Sequence, residues 1–181
     1  MSIQRPIYNE DYSSHWPINV QGKTIIDIGA DYGSTAYYFK RKGAVQVVCV
    51  EGNPRLYRQL QINMRLLPGC VAIYKNIKSP GDLAEVLAYT AETVKVDIEG
   101  AEKHLLEVDP GLLQQHYEWI IELHRNINRK AFIDYFRSVG FDTVKVFSWG
   151  IGLTVIHFVR HDVTGHSLTE NLKHFVLLYS K

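Results

Sequence analysis

A chain of 181 residues, 46% apolar and 22% charged, has the composition of a globular protein and is long enough to bury a substantial core. Its 20 Lys and Arg against 19 Asp and Glu leave a formal net charge of +1, which gives no overall field to draw in nucleic acid. No apolar run approaches the ~18 residues that would span a bilayer, so no membrane partner is expected. Cys49, in a predicted core strand, and Cys70, near the start of another, read as buried thiols and not as a disulfide frame. Residues 1–16 are polar and lack the apolar centre of a signal peptide, which makes the cytoplasm the expected location.

In chain order, residues 1–22 read as an irregular lead-in carrying Tyr8, Tyr12 and Trp16, placed to fold over a ligand mouth. Residues 24–28, mostly β-branched, predict a buried strand. It runs into a turn bracketed by Gly29 and Gly33, where positive φ or a close approach costs nothing at Cβ. Ser34 and Thr35 are suited to cap the helix that follows over 35–42. The cationic end of that helix, Lys40-Arg41-Lys42, complements the helix dipole, and Gly43 closes it.

A second strand over 46–50 ends in Glu51-Gly52-Asn53-Pro54, and Pro54 opens a helix running to about Leu67 with Leu56, Leu60, Met64 and Leu67 on one face. A short strand over 71–74 leads to Lys75-Asn76-Ile77, and Ser79-Pro80 starts a short helix ending near Tyr89. The next strand ends at Asp97, with a helix beginning about Ala101. Residues 118–123 give a fifth strand, whose alternation puts Glu122 and His124 on one side at its C-terminal end. A helix over 129–139 turns Phe132, Tyr135, Phe136 and Val139 inward. Residues 143–149 and 153–160 alternate around Gly150-Ile151-Gly152 as an antiparallel hairpin. Ser167-Leu168-Thr169-Glu170 is a capping box, and the helix behind it carries one apolar stripe. The predicted organisation is a lead-in over 1–22, one α/β domain over 23–165 and a C-terminal helix over 166–181 packed on that domain, with oligomeric state left open.

A strand, glycine turn and helix in this order point to a cofactor site on an open α/β sheet. A dinucleotide fingerprint needs glycine where Asp27 stands, because the backbone there must turn around a pyrophosphate. Here the pattern is Asp-x-Gly-x-x-x-Gly, and a carboxylate repels phosphate but attracts an ammonium group. S-adenosylmethionine (SAM) has no phosphate and carries both an ammonium and a sulfonium, so SAM is expected in preference to NAD. Glu51, 18 residues past Gly33, suits the acid that receives ribose hydroxyls, and Asn76 lies where an adenine edge would be met.

Together these residues resemble the class I SAM-dependent methyltransferases, and within them the FkbM-type group. Asp27-Ile28-Gly29-Ala30-Asp31-Tyr32-Gly33-Ser34 is similar to that group's Asp-x-Gly-Ala-Asn-x-Gly-x motif, with Asp31 in place of Asn. Glu51-Gly52-Asn53-Pro54 matches its acidic loop in part. Lys95-Val96-Asp97-Ile98-Glu99-Gly100-Ala101-Glu102 is similar to its most specific signature, and Glu122-Leu123-His124 to the Glu-x-His on the next strand. The resemblance spans roughly residues 24–160. It implies a Rossmann-like, doubly wound, mostly parallel sheet of seven strands in the order 3-2-1-4-5-7-6, with SAM across the strand ends. It also implies methyl transfer, most often to oxygen, on a small-molecule or glycan-like acceptor.

Transfer from a sulfonium is an in-line displacement, so the protein must place the acceptor, exclude water and supply a base. Asp97, Glu99 and His124 are the expected catalytic groups. Asp27, Gly29, Ala30, Asp31, Gly33, Glu51, Asn76 and Asp97 are the expected cofactor residues. Three carboxylates within six residues, Asp97, Glu99 and Glu102, call for a cationic neighbour, whether a metal, a ligand or a lysine. Glu102 also fits a first-turn carboxylate satisfied by the helix dipole, and Glu122 a strand-end ion pair. No metal is expected, although hard carboxylates with one imidazole suit Mg²⁺ or Mn²⁺. His157 and His161, four apart on a strand and so roughly 13 Å apart, cannot share an ion and read as surface or hairpin residues. Two rival functions remain. One is RNA methylation, for which Arg125, Arg129 and Lys130 form only a small basic cluster. The other is a Rossmann domain that binds a nucleoside without turnover.

Overall fold

The computed structural model describes residues 12–13, 15–149 and 153–161. Its elements are β1 (Thr24–Ile28), α1 (Ser34–Arg41), β2 (Gln46–Glu51), α2 (Pro54–Met64), β3 (Cys70–Tyr74), α3 (Pro80–Leu87) and β4 (Thr93–Val96), followed by a 3-10 helix (Ala101–Glu107), α4 (Pro110–Leu113), β5 (Glu118–Leu123), α5 (Arg129–Ser138), β6 (Phe141–Trp149) and β7 (Leu153–Arg160). The strands form one sheet in the order β3-β2-β1-β4-β5-β7-β6. The first five pair parallel, and β7 runs antiparallel to both β5 and β6. The expected strand order and C-terminal hairpin are therefore present. The predicted helix over 166–181 and residues 1–11 lie outside the described residues. Among the described residues no helix is long and apolar enough to cross a membrane.

Strand alternation divides the core between the two faces of the sheet. Ile25, Val47 and Cys49 point to the face covered by α1, α2 and the lead-in, where they meet Phe39, Leu60, Met64, Trp16 and Val20. Ile26, Ile28, Val48 and Val50 point to the other face, where α3, the 3-10 helix, α4 and α5 pack. The lead-in residues Tyr12 and Trp16 join the first of these cores, and the ligand cleft described below is lined by other residues. Both cysteines are free thiols, Cys49 buried and Cys70 half-buried.

Helix ends depart from expectation in three places, each for a local reason. Ser34 and Thr35 are not caps. They already lie inside α1, whose N-cap is the left-handed Gly33 with no side-chain bond, and the Ser34 hydroxyl meets that of Tyr12 at 2.9 Å. α2, capped by the Asn53 side chain, stops at Met64, and 3-10-type turns carry the chain through Leu67 to the left-handed Gly69. The segment from Ala101 forms a 3-10 helix, and the short α4 behind it, opened by Pro110, was not anticipated.

His157, expected at the surface or on the hairpin, lies on the hairpin strand β7 but is buried. It is 8% exposed, and its Nε2 lies 2.7 Å from the Glu118 carboxylate, which also receives Lys23 Nζ at 2.6 Å and Thr93 Oγ1 at 3.1 Å. Burial alone would raise the Glu118 pKa, but His157 and Lys23 outweigh it and hold the carboxyl below its ordinary value. This network ties β4, β5 and β7 at the end of the sheet opposite the ligand cleft. His161, by contrast, is half-exposed and pairs with Asp142 at 3.0 Å.

The densest part of the core is aromatic. The Phe136 ring stacks on Phe158 at 4.4 Å and on Phe132 at 5.1 Å, and meets Trp119 edge-on at 5.8 Å. Replacing Phe136 by Ala removes the piece that joins α5 to β5 and β7. It should lower the unfolding free energy by about 3–5 kcal/mol in urea denaturation, with the slope of the transition unchanged.

Candidate functional site

The turn after β1 is shaped by its neighbours. Gly29, at φ 83°, donates its N–H to Val50 O at 2.9 Å, and a Cβ on it would fall 1.7 Å from the Asp97 carbonyl oxygen. Glycine is required there so that the end of β4 can lie against the turn. Gly33 meets a different neighbour: a Cβ would come within 2.4 Å of Met64 Cε, so this glycine serves the packing of α1 on α2. Between them Asp31 adopts φ 50°, and its N–H donates to Glu51 Oε2 at 2.9 Å. The other Glu51 oxygen accepts from Asn53 N at 2.6 Å. Glu51 therefore joins the β1 and β2 loops while staying on the cleft wall.

These loops border a cleft of about 610 Å³ over the C-terminal ends of the first four strands. It lies where the strand order reverses between β1 and β4, the place at which open α/β sheets bind ligands. Gly29, Asp31, Glu51, Asn76, Asp97 and Glu99, all singled out from the sequence, line it. Ala30 is fully buried behind the wall, its N–H bonded to Val50 O at 3.0 Å.

Asp27 stands elsewhere than the sequence reading places it. Its carboxylate is fully buried beneath the turn and faces Lys95 Nζ at 2.9 Å, so its charge meets a lysine and not an incoming ammonium. Lys95 is equally buried, donates to Gly29 O at 2.8 Å, approaches Asp97 Oδ2 at 3.9 Å and lies 5.3 Å over the Trp16 ring. Burial alone would strip its proton, but Asp27 and Asp97 overcome that and keep it charged. The sequence motif contains Lys95 but shows no role for it. The available signal was a lysine between two valines of a central strand, opposite an aspartate, since Asp27 and Lys95 are register partners.

The remaining acids converge on His124. Glu102 is fully buried, and its Oε1 accepts from Ile98 N at 2.9 Å and lies 3.0 Å from His124 Nδ1. His124 Nε2 lies 3.2 Å from Glu99 Oε2 and 4.0 Å from Asp97 Oδ1. One atom each of Asp97, Glu122 and His124 fall within 4.8 Å of one another, a spacing that could also hold a divalent ion. Lys95 thus supplies the cationic neighbour that the acidic run required. Among the described residues Glu122 forms no ion pair: it is half-buried beside Asp97, and desolvation, with Asp97 adding to it, raises its carboxyl to about 7. Arg125, Arg129 and Lys130 do not line the cleft, and Lys130 pairs with Asp134 at 2.6 Å.

No protein-family model matches the chain. Among curated proteins it is 29% identical over 111 residues to Uncharacterized protein 65 of Sulfolobus islandicus filamentous virus (isolate Iceland/Hveragerdi), covering 61% of this chain and 65% of the relative. It is 31% identical over 107 residues to Uncharacterized protein 158B of Sulfolobus islandicus rod-shaped virus 1, covering 59% and 64%. The match thus spans less than two thirds of either relative. Among solved structures the chain superposes on Aeropyrum pernix fibrillarin with natively bound S-adenosyl-L-methionine at TM-score 0.61 and 16% identity, over 78% of this chain and 69% of that one. It superposes on the Methanococcus jannaschii fibrillarin pre-rRNA processing protein at TM-score 0.61 and 14% identity, over 79% and 69%. The seven-stranded α/β architecture is therefore the Rossmann-like methyltransferase fold.

The raised carboxyl of Glu122 has a measurable consequence. Its folded pKa lies above the ordinary 4.5, so its stabilising contribution is complete below 4.5 and is lost as pH rises through about 7. Glu122→Gln should match the wild type in stability below about pH 4.5. At pH 8 it should exceed it by about 1–2 kcal/mol, a figure discounted for the half-exposure of the group. Urea denaturation across that pH range, with a carbon-detected NMR titration of the Glu122 carboxyl, checks both the sign and the midpoint.

Proposed function

We propose that this chain is a SAM-dependent methyltransferase that transfers a methyl group to a hydroxyl of a small-molecule or glycan-like acceptor. The observation that carries the reading is the charge of the cleft at the strand switch point. Asp31, Glu51, Asp97 and Glu99 line it, a setting that repels a pyrophosphate and suits an ammonium, a sulfonium and ribose hydroxyls. In this reading Glu51 receives the ribose, Asn76 borders the adenine, and Gly29 and Asp31 meet the methionine end. Asp27, Ala30 and Gly33 act by fixing the turn. The methyltransferase fold and the SAM bound to the fibrillarin neighbour support the cofactor assignment.

Asp97, just past the end of β4, stands two strands over from Glu51 on β2, with Glu99 and His124 beside it, and in this reading it lies between cofactor and acceptor. The acceptor O–H bond breaks, its proton passes to a base of this group, the oxygen bonds to the methyl carbon, and the S–CH₃ electron pair returns to sulfur. Holding acceptor and sulfonium in line in a closed cleft is worth up to about 7–11 kcal/mol, and the base about 10²–10⁴-fold. The acidic lining disfavours an RNA acceptor, whose phosphates it would repel. The domain span 23–165, the packing of 166–181 and the FkbM-type kinship belong to this proposal, as does a cytoplasmic setting, with which the free Cys49 and Cys70 agree.

Isothermal titration should show saturable binding of SAM and of its demethylated product, and none of NAD. Binding of NAD without SAM would overturn the reading. Glu51→Gln puts an amide N–H against a backbone N–H, and should weaken SAM by about 1.5–3 kcal/mol. In a screen with methyl-labelled SAM, hydroxylated small molecules and glycans should take the label, whereas labelled RNA would replace the acceptor assignment. With the acceptor that emerges, Asp97→Asn should hold SAM affinity within a few-fold while kcat falls by about 10²-fold or more. A tenfold loss of SAM binding instead would move Asp97 to the cofactor side.

A further inference from the structure

We infer that Glu102 is a positioning residue that fixes the tautomer of His124, turning the Nδ1–H inward and presenting Nε2, with its lone pair, to the acceptor hydroxyl. The inference rests on the methyl-transfer reading above and assigns the proton in that reaction to one nitrogen. The geometry is specific. Glu102 is fully buried on the first turn of the 3-10 helix, and its Oε1 lies 3.0 Å from Nδ1 of the imidazole just past the end of β5. The same oxygen accepts the Ile98 N–H at 2.9 Å, so the loop after β4 holds the carboxylate in place from behind. A carboxylate facing Nδ1 favours hydrogen on that nitrogen, since the alternative sets a lone pair against it, whereas the carboxylate nearest Nε2, Glu99, is solvent-exposed.

The outer nitrogen faces the charged groups of the site: Glu99 at 3.2 Å, Asp97 at 4.0 Å, and Glu122 close by on β5. Glu99 is 88% exposed, so an acceptor hydroxyl arriving at Nε2 displaces a solvated side chain and not a packed one. In the reaction the hydroxyl O–H breaks and its proton goes to Nε2. The oxygen pair bonds to the methyl carbon, the S–CH₃ pair goes to sulfur, and the resulting imidazolium is balanced by Glu102. A buried carboxylate bonded to the far nitrogen of a base is the arrangement by which enzymes select one imidazole tautomer.

Long-range ¹⁵N–¹H NMR of the His124 ring in the full chain, followed from pH 6 to pH 10, tests this without knowledge of the acceptor. The neutral wild-type ring should show a protonated Nδ1 and an unprotonated Nε2. Glu102→Gln should keep that tautomer, because Ile98 N–H holds the amide oxygen toward the ring. Glu102→Ala should shift the tautomer ratio at least tenfold toward Nε2–H, with binding of demethylated SAM held within threefold. A wild-type ring protonated at Nε2 when neutral, a ring carrying both protons through pH 10, or an unchanged ratio in Glu102→Ala each overturns the inference. If Glu102→Ala does not fold by its amide spectrum, the wild-type tautomer still decides. Failure of SAM to bind the wild type would instead count against the methyltransferase reading.

Discussion

The buried ion pair of Asp27 and Lys95 is the constraint on which the site depends. Two unit charges are removed from water between β1 and β4, and the desolvation cost means that such a pair need not stabilise the fold relative to apolar residues of similar volume. Losing one partner is another matter, because the charge left behind has no solvent and costs about 3–5 kcal/mol. The pair is better understood through its geometry. Lys95 Nζ reaches the Gly29 carbonyl as well as Asp27, and thereby sets the height of the turn above the end of β4. Because Gly29 has no Cβ, the Asp97 carbonyl can sit against that turn, and the two loops meet to form one wall of the cleft.

That wall carries left-handed backbone at two residues that are not glycine. Among the described residues only Asp31 and Glu99 have positive φ without being glycine, at 50° and 55°, and both line the cleft. Each such residue costs about 1–3 kcal/mol unless its surroundings hold it. Both have such supports: Glu51 accepts the Asp31 N–H, and Glu102 accepts the Ile98 N–H just before Glu99. The buried or half-buried carboxylates therefore do two things. They support the loops at their left-handed residues, and they keep Asp31 and Glu99 on the cleft lining.

Periodicity made the sheet legible. The strands at Thr24–Ile28 and Glu118–Leu123 fall where the apolar runs predict them, because a central parallel strand is buried on both faces and its sequence has little freedom. The lining acids Asp31, Glu51, Asp97 and Glu99 could be read because each ends or follows a strand at the C-terminal edge of the sheet. What could not be read depended on partners distant in the chain. Asp27 looked like a cleft residue because nothing local shows that Lys95, 68 residues later, lies opposite it. His157 looked exposed because its partner Glu118 is on another strand. The first turn of α1 looked capped by Ser34 because a side-chain cap and a glycine cap have similar local sequences.

The two groups of acids in the cleft differ in how their charge is balanced, and this divides the chemistry. Glu51 has both oxygens engaged by backbone N–H groups, which fix it in the cleft wall. Asp97 and Glu122 instead lie close together around one imidazole, and two such carboxyls do not ionise independently. With Glu122 raised to about 7, this carboxyl changes its charge near neutral pH. In the proposed reaction, protonated Glu122 would donate a hydrogen bond to an acceptor oxygen, and ionised Glu122 would compete with His124 for the acceptor's proton. A base whose identity depends on pH gains from a fixed imidazole, because only one of the competing groups is then held in a single orientation. Buried Glu102 provides that orientation from the side away from solvent, where a change in the protonation of Glu122 leaves the Nδ1 contact in place.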